Sequence, residues 1–598
     1  MLDTIALSGD PAPGTGGADF AGFECCEDDN IVIAPNGDVG FAGRLTQGGV
    51  PPEDDFGFWL GSPTALSLVL RSGTGLGDGA SVAPRVYTAQ INGAGDLALW
   101  VQTDAPQPGT QFDSIPHAVL AGAPSALQVV AKSPGPPPDG LDLTENLYEV
   151  GAPILNDVGG LAFFGNVVLQ EPDESTPGEA ETRAWLSSLQ APTDPAEVLA
   201  SASVDLFGEI PGGIAFYLTG FNDDGDTTYV GSIAVADGVE ELGLWFRDAN
   251  GTLQRLSDVA FATDSGSSFR ITFSSITAEL NNVGQVLVEG GIKENSTATP
   301  GLALLVPDGL SGVIVVRDGD AAPGVGERSF SFPDFREEQL AGFNDGGQVA
   351  FQAAAGAAPN EVTGIWIYDP SGGLTLLASS LDIAPGTSSR YVRFGVLHTQ
   401  SGLPSYRRVA LNRSGTAMFL ADLEDGRRGI WAGTPGALEP VALTRAYLEI
   451  APGSFATVTE LGLPYNNLPQ TVRRDFNDAG EIAFWAAFDD GRSAILRASP
   501  NLPPVADAGE DQEVLFKKGN STEVTLDGSG STDPNGTEIV SYLWDDGQGD
   551  TASGIMPALT LGVGAYVFTL TVSDGFSEST DEVAISVSKQ TGGGGGNT

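Results

Sequence analysis

Asn477-Asp478-Ala479-Gly480-Glu481-Ile482-Ala483-Phe484 is the stretch that decides the fold, because the chain writes it again and again. An Asn opens the phrase, a Gly follows three residues later, and an apolar strand comes next. The same phrase starts at Asn92, Asn156, Asn222, Asn281, Asn344 and Asn412, and in weaker form at Ala34 (Ala34-Pro35-Asn36-Gly37-Asp38). The eight starts are 58, 64, 66, 59, 63, 68 and 65 residues apart. Near-regular spacing with strands inside each unit is the mark of a repeat architecture. In Asn-x-x-Gly the Asn side chain bonds backbone two residues on, and Gly accepts the positive φ that closes a tight turn. A type I turn followed by a left-handed Gly joins antiparallel strands. The recurring Asn residues therefore read as hairpin turns, with a ring of ligands as the other reading.

Two further strands follow in each unit. The third carries a large apolar residue, as in Gly57-Phe58-Trp59-Leu60, Ala184-Trp185-Leu186, Gly243-Leu244-Trp245-Phe246, Gly364-Ile365-Trp366-Ile367 and Gly429-Ile430-Trp431. Tryptophans alternating with small residues suit packing between sheets, and a carbohydrate-stacking platform is the alternative. The fourth strand is an apolar run such as Leu374-Thr375-Leu376-Leu377. Four antiparallel strands repeated radially predict an all-β, eight-bladed β-propeller. The eighth unit supplies only three strands, the last being Ser493-Ala494-Ile495-Leu496. Its fourth is expected at the start of the chain. There, Thr4-Ile5-Ala6-Leu7-Ser8-Gly9-Asp10-Pro11-Ala12-Pro13-Gly14 matches the phrase that ends other units, as in Arg317-Asp318-Gly319-Asp320-Ala321-Ala322-Pro323-Gly324. Such closure removes exposed sheet edges.

The Gly-Asp-x-Ala-Pro-Gly phrase places Asp10, Asp320, Asp382 and Glu449 at equivalent positions, with Asp78 a looser match. Carboxylates on one rim could bind cations, whereas Asp before a Pro-Gly bend also satisfies local amides. Insertions rich in Pro, Asp and Glu at 103–116 and 170–182 predict long surface loops, where binding functions concentrate.

The chain has 598 residues and a formal charge of −51, with five lysines beside 22 arginines. That field repels nucleic acid and anionic membrane surfaces and keeps the surface hydrated. No apolar run is long enough to span a bilayer, and Met1-Leu2-Asp3 leads straight into a strand, as in a mature chain. Cys25 and Cys26 are adjacent and have no third thiol to pair with, leaving them free, joined to each other under strain, or linked between molecules. A metal site built from them would need His117 or His398, which read more simply as surface or core residues.

The phrase intact at Asn344-Asp345-Gly346-Gly347-Gln348-Val349-Ala350-Phe351 and at 477–484, with the recurring Ala-Pro-Gly segments, resembles the choice-of-anchor tandem-repeat family of bacterial exported proteins over about residues 1–499. Thr228-Tyr229-Val230 departs from it. The resemblance implies a surface or secreted location and supplies no catalytic residues.

After the hinge Ser499-Pro500-Asn501-Leu502-Pro503-Pro504 come, in order, Val505-Ala506-Asp507-Ala508-Gly509, Leu526-Asp527-Gly528-Ser529-Gly530-Ser531-Thr532-Asp533-Pro534-Asn535-Gly536, Tyr542-Leu543-Trp544-Asp545 and Tyr566 to Gly575. Together they resemble a PKD domain. Short alternating strands and one buried Trp544 predict an immunoglobulin-like β-sandwich. Some PKD-like modules bind calcium, and Asp507, Asp533, Asn535 and Asp574 are oxygen donors that a hard cation would need to converge; turn capping is the other reading. The expected organisation is a propeller over 1–499, a linker at 500–504, a PKD module over 505–589 and a flexible Gly-rich tail at 590–598.

No Ser-His-Asp order, zinc set or phosphate-binding loop emerges, so no catalytic residue is assigned. The expected function is a non-enzymatic extracellular or cell-surface protein engaging polysaccharide or another surface protein. A polysaccharide-active propeller enzyme and a self-associating fibre or layer subunit are the alternatives.

Overall fold

A computed structural model describes the chain except residues 24–30, 47–54, 78, 105–114, 141–145, 171–178, 190–195, 206–215, 235–239, 258, 295–296, 333–340, 358, 399–403, 407–408, 465–474, 502, 535–537, 576 and 591–598. Every regular element among the described residues is a β-strand. Two compact units result, Leu2–Ala498 and Ser499–Thr598.

The Asn-x-x-Gly phrase forms the predicted turn. At Asn344 the amide of Gly347 donates to the Asn344 carbonyl at 3.0 Å, and the amide of Asn344 donates to Gln348. Gly347 sits at φ +73°, the left-handed region that a Cβ would strain. The turn joins Gly342–Phe343 to Val349–Ala355, which pairs in turn with Val362–Asp369 and then Gly373–Ser379. Comparable sets of strands span about residues 19–71, 82–132, 146–205, 216–255, 261–317, 391–443 and 447–498; the last takes the first strand of the chain as a fifth member, and the strands over 261–317 close on themselves as a barrel. In four of them the first strand is in two pieces on one partner, as with Asp19–Gly22 and Ile31–Ile33 on Val39–Thr46. Part of the length beyond a minimal repeat therefore enters inside the first strand. In the seventh sheet it carries its own hairpin, Val396–His398 on Pro404–Tyr406.

Both faces of each sheet are buried, and the repeated phrase encodes which neighbour each side chain meets. Val349 and Phe351 pack with the preceding sheet while Ala350 packs with the following one. Ile482 and Phe484 likewise face back, and Ala483 faces forward. Eight apolar clusters result, each drawn from two successive sheets. One of them joins Ile5, Ala483 and Ile495 of the last sheet to Phe20, Phe41 and Trp59 of the first. The first unit is thus an all-β, propeller-like array whose ends meet.

The closing strand takes the pairing its Ala-Pro-Gly phrase predicts. Leu2–Leu7 lies antiparallel to Ser493–Ala498, with Leu7 opposite Ala494 and Leu2 opposite Ala498. Arg497 fastens the joint: it donates to Asp3 Oδ2 at 2.6 Å and to the Gly37 carbonyl at 2.8 Å.

Trp59, Trp185, Trp245, Trp366 and Trp431 are all buried, so they pack between sheets and do not form a sugar platform. In four of the five a register shift immediately precedes the indole. The bulge turns the ring into the interface. Three of these indoles also explain the Ala-Pro-Gly segments. Trp59, Trp366 and Trp431 donate Nε1–H to the carbonyls of Pro13, Pro323 and Pro385, at 3.0, 2.9 and 3.2 Å. The adjacent Gly permits that approach, since a Cβ on Gly324 would lie 2.7 Å from Leu376 Cβ.

In the second unit, Gln512–Phe516 runs parallel to Glu578–Lys589, followed across the sheet by Gly564–Ser573, Ser541–Asp545 and Thr551–Ser553. Ser521–Thr525 and Ala558–Gly562 form a separate pair. Trp544 is fully buried among Leu526, Phe568, Leu570 and Val583, with its Nε1–H on the Gly554 carbonyl at 3.1 Å.

Candidate functional site

The Asn-x-x-Gly turns do more than reverse the chain. In each repeat the Asn Oδ1 accepts an amide of its own turn, as from Gln348 to Asn344 at 3.0 Å. Its Nδ2 is then aimed at the next repeat. Asn156 donates to the carbonyl of Asn222, Asn222 to Asn281, Asn281 to Asn344, Asn344 to Asn412 and Asn412 to Asn477, at 2.9–3.4 Å. Asn477 then donates to the carbonyl of Ala34 at 3.0 Å. The Asn residues are turn formers and inter-repeat ties at once. The run breaks at the first two repeats. Ala34 has no side-chain amide to give, and buried Asn92 Nδ2 has no hydrogen-bond partner among the described residues. Fully buried Gln90 serves there instead, donating to the Pro153 carbonyl at 2.7 Å and accepting from the Leu155 amide at 2.8 Å.

A second circuit runs one residue further on. The amides of Gly93, Asp157, Asp223 and Asn282 donate to side-chain oxygens of Asp157, Asp223, Asn282 and Asp345, and that of Arg413 to Asp478. These positions line an axial cavity of about 440 Å³ reached by turns from all eight repeats. Arg413 lies across it. Its Nη2 donates to Asp157 Oδ2 at 2.9 Å and its Nε to Asp345 Oδ2 at 3.1 Å, with Asp478 Oδ2 3.6 Å from Nη1. Partial burial works against the guanidinium charge, but the Asp157 hydrogen bond and the charges of Asp345, Asp157 and Asp478 outweigh it and raise its pKa. Chemically, the cavity offers carboxylates, amides and one tethered cation, a set suited to hydroxyl-rich or polar ligands. The sequence signal was available in the Asp or Asn that follows the repeat Asn at 157, 223, 282, 345 and 478.

Behind this wall, Glu289 is fully buried and accepts from the Ala341 amide at 2.7 Å. Burial drives its pKa up to about 8 against that hydrogen bond, so it is protonated at neutral pH. His117 packs against Tyr87 and Trp100, and burial, with the charge of Arg85, lowers its pKa to about 4. It is an uncharged packing residue.

The acidic positions beside Ala-Pro-Gly mostly serve their turns. Asp382 accepts from the Ser379 amide and hydroxyl at 2.8 Å, Asp320 from the Arg317 amide at 2.8 Å and Glu449 from the Gly453 amide at 2.7 Å. Asp10 contributes backbone bonds, to Leu7 and from Phe20. Asp78, Cys25, Cys26 and the side chain of His398 lie outside the described residues. Of the four oxygen donors in the second unit, Asn535 also lies outside them. Asp507 is exposed and accepts from the Gly509 amide, and Asp533 is half-buried in the loop that Thr532 ties to Val505. Buried Asp574 accepts from Asn501 Nδ2 at 2.8 Å and from the amide and hydroxyl of Ser577. Among the described residues no three His, Cys, Asp or Glu side chains gather as a metal site. Asp574 therefore caps the turn that ends at Ser577. No described helix is long and apolar enough to cross a membrane.

Fold and circuit together define a propeller-like repeat protein carrying a PKD module. The chain belongs to a family of unknown function, DUF7453, whose model matches residues 1–312 and 221–498. The resemblance to choice-of-anchor proteins finds no support in that match. Residues 508–587 match a PKD-domain family of the KIAA0319-like type. The mouse dyslexia-associated protein KIAA0319-like protein is 40% identical over 89 residues, 14% of this chain and 8% of that protein. The chain thus spans under a tenth of that relative. Among solved structures, polysaccharide lyase Uly1 is 9% identical with a TM-score of 0.36, covering 83% of this chain and 98% of its own. The Trypanosoma rangeli sialidase bound to the inhibitor DANA is 11% identical with a TM-score of 0.22, covering 82% and 83%. These likenesses transfer no activity. The expectation of a non-enzyme is not upheld, since the similar solved chains include a polysaccharide lyase and a sialidase.

Proposed function

We propose that the chain is an exported, surface-displayed binding protein. In this reading residues 1–499 form an eight-bladed disc, 500–504 a linker, 505–589 an immunoglobulin-like PKD spacer or adhesion module and 590–598 a Gly-rich tail. The disc presents its axial cavity and loops to an extracellular polysaccharide or a surface protein. The observation that carries the reading is the run of inter-repeat hydrogen bonds, from Asn156 round to Ala34, beside a polar cavity. It supplies a stiff frame holding carboxylates, amides and one guanidinium at fixed places. The match of residues 508–587 to a PKD domain supports the adhesion role and the extracellular setting. The charge of −51 disfavours nucleic acid and anionic membranes and favours neutral or cationic partners.

A glycan array combined with a polysaccharide-turnover screen, run with and without calcium, tests it. Retention of a defined glycan is the expected result. Turnover would replace binding by catalysis, and silence toward every glycan would move the search to protein partners.

A further inference from the structure

We propose that Arg413 is an internal cation that fastens the third and seventh repeats across the axial cavity, holding the place of an external cationic group between Asp157, Asp345 and Asp478. Three observations converge. Asp157 and Arg413 lie 256 positions apart and half the circuit of eight repeats away, yet their side chains meet at 2.9 Å. The three carboxylates reach Arg413 from three other repeats, the third, sixth and eighth. Each also accepts a backbone amide on its other oxygen, so it is oriented before the guanidinium arrives.

The remaining inward positions reinforce the assignment. The equivalent residues elsewhere are Pro35, Gly93, Asp223 and Asn282, so among these eight positions Arg413 is the one basic side chain facing four acids. Without it, like charges would crowd a cavity of about 440 Å³. A guanidinium suits the task because its planar fork presents several donors in fixed directions, which an ammonium cannot. The contacts are partly exposed, so salt should weaken them.

Arg413→Ala in the full chain, probed with guanidinium chloride at millimolar concentration against equal sodium chloride, is the test. Loss of the tie should lower Tm by about 1–2 °C, a small shift because the transition of so long a chain is steep. Guanidinium ion should restore that loss in Arg413→Ala and leave the wild type unchanged, while sodium does not. Arg413→Lys should recover only part of the loss. Asp157→Asn combined with Arg413→Ala should cost less than the sum of the two. An unchanged Tm, a loss that guanidinium does not repair, or strict additivity would overturn the proposal.

Discussion

Asn477 Nδ2 donates to the carbonyl of Ala34 at 3.0 Å, joining the last repeat to the first across 443 positions. The same bond recurs between successive repeats, so closure uses no special chemistry: the ring ends where its own repeating contact finds its beginning.

Asn344→Ala removes a buried amide that ties Asn412 and a carbonyl oxygen that holds the Gln348 amide. The expected loss is about 1–3 kcal/mol, because the partners stay buried with fewer bonds. Chemical denaturation should show it as a lower midpoint. An unchanged midpoint would mean the inter-repeat bond contributes nothing.

Trp366→Phe keeps an aromatic ring beside Phe330 but deletes the bond to Pro323. A loss of about 1–2 kcal/mol is expected, against about 3–5 kcal/mol for Trp366→Ala. Glycan binding by Trp366→Phe should match the wild type. Weaker binding at equal stability would restore the platform reading.

Glu289 makes stability depend on pH. Its folded pKa of about 8 lies above the ordinary value of 4.5, so between those values the folded chain holds a proton the unfolded chain has lost. Stability then falls as pH rises through the window, by at most about 1.4 kcal/mol per pH unit. Glu289→Gln should flatten that slope and stabilise the protein near pH 8, which melting curves from pH 5 to pH 8 would read. The same slope in both proteins would assign it to other groups.

Deleting residues 2–7 exposes the backbone edge of Ser493–Ala498 and uncovers Ala494 and Leu496. An open edge of this kind recruits other chains. Size-exclusion chromatography should show aggregates, and adding the Leu2–Leu7 peptide in trans should restore the elution position of the full chain. A fully stable deletion that elutes with the full chain would show that the first strand is dispensable.

Asp574→Ala should destabilise the Ser499–Thr598 unit by about 1–3 kcal/mol in calcium-free buffer, since Asn501 and Ser577 lose their acceptor. If the loss appears only when calcium is present, the carboxylate serves a cation and not the turn.

The alternation in Ile482-Ala483-Phe484 and the matching Ala-Pro-Gly phrases made the strands and the closing pairing legible, because each is written locally and repeated. The burial of the tryptophans was legible for the same reason. The ties between repeats were not, since an Asn that caps its own turn looks the same in sequence whether or not its amide reaches a neighbour. Arg413 was harder still. It stands where four other repeats carry an Asp, and its meaning depends on one of these, half the circuit away. The partners of Asp574 were not legible either, because a short sequence motif shows its oxygens without showing that Asn501 and Ser577 donate to them.

The seam between Ser8 and Ser493, 485 positions apart, has a consequence for biogenesis. At about 5–20 residues per second a ribosome needs roughly 25–100 s between delivering the two. For that interval the opening strand waits without its mate, and a chaperone or exporter that shields it would set how much newly made protein survives to close.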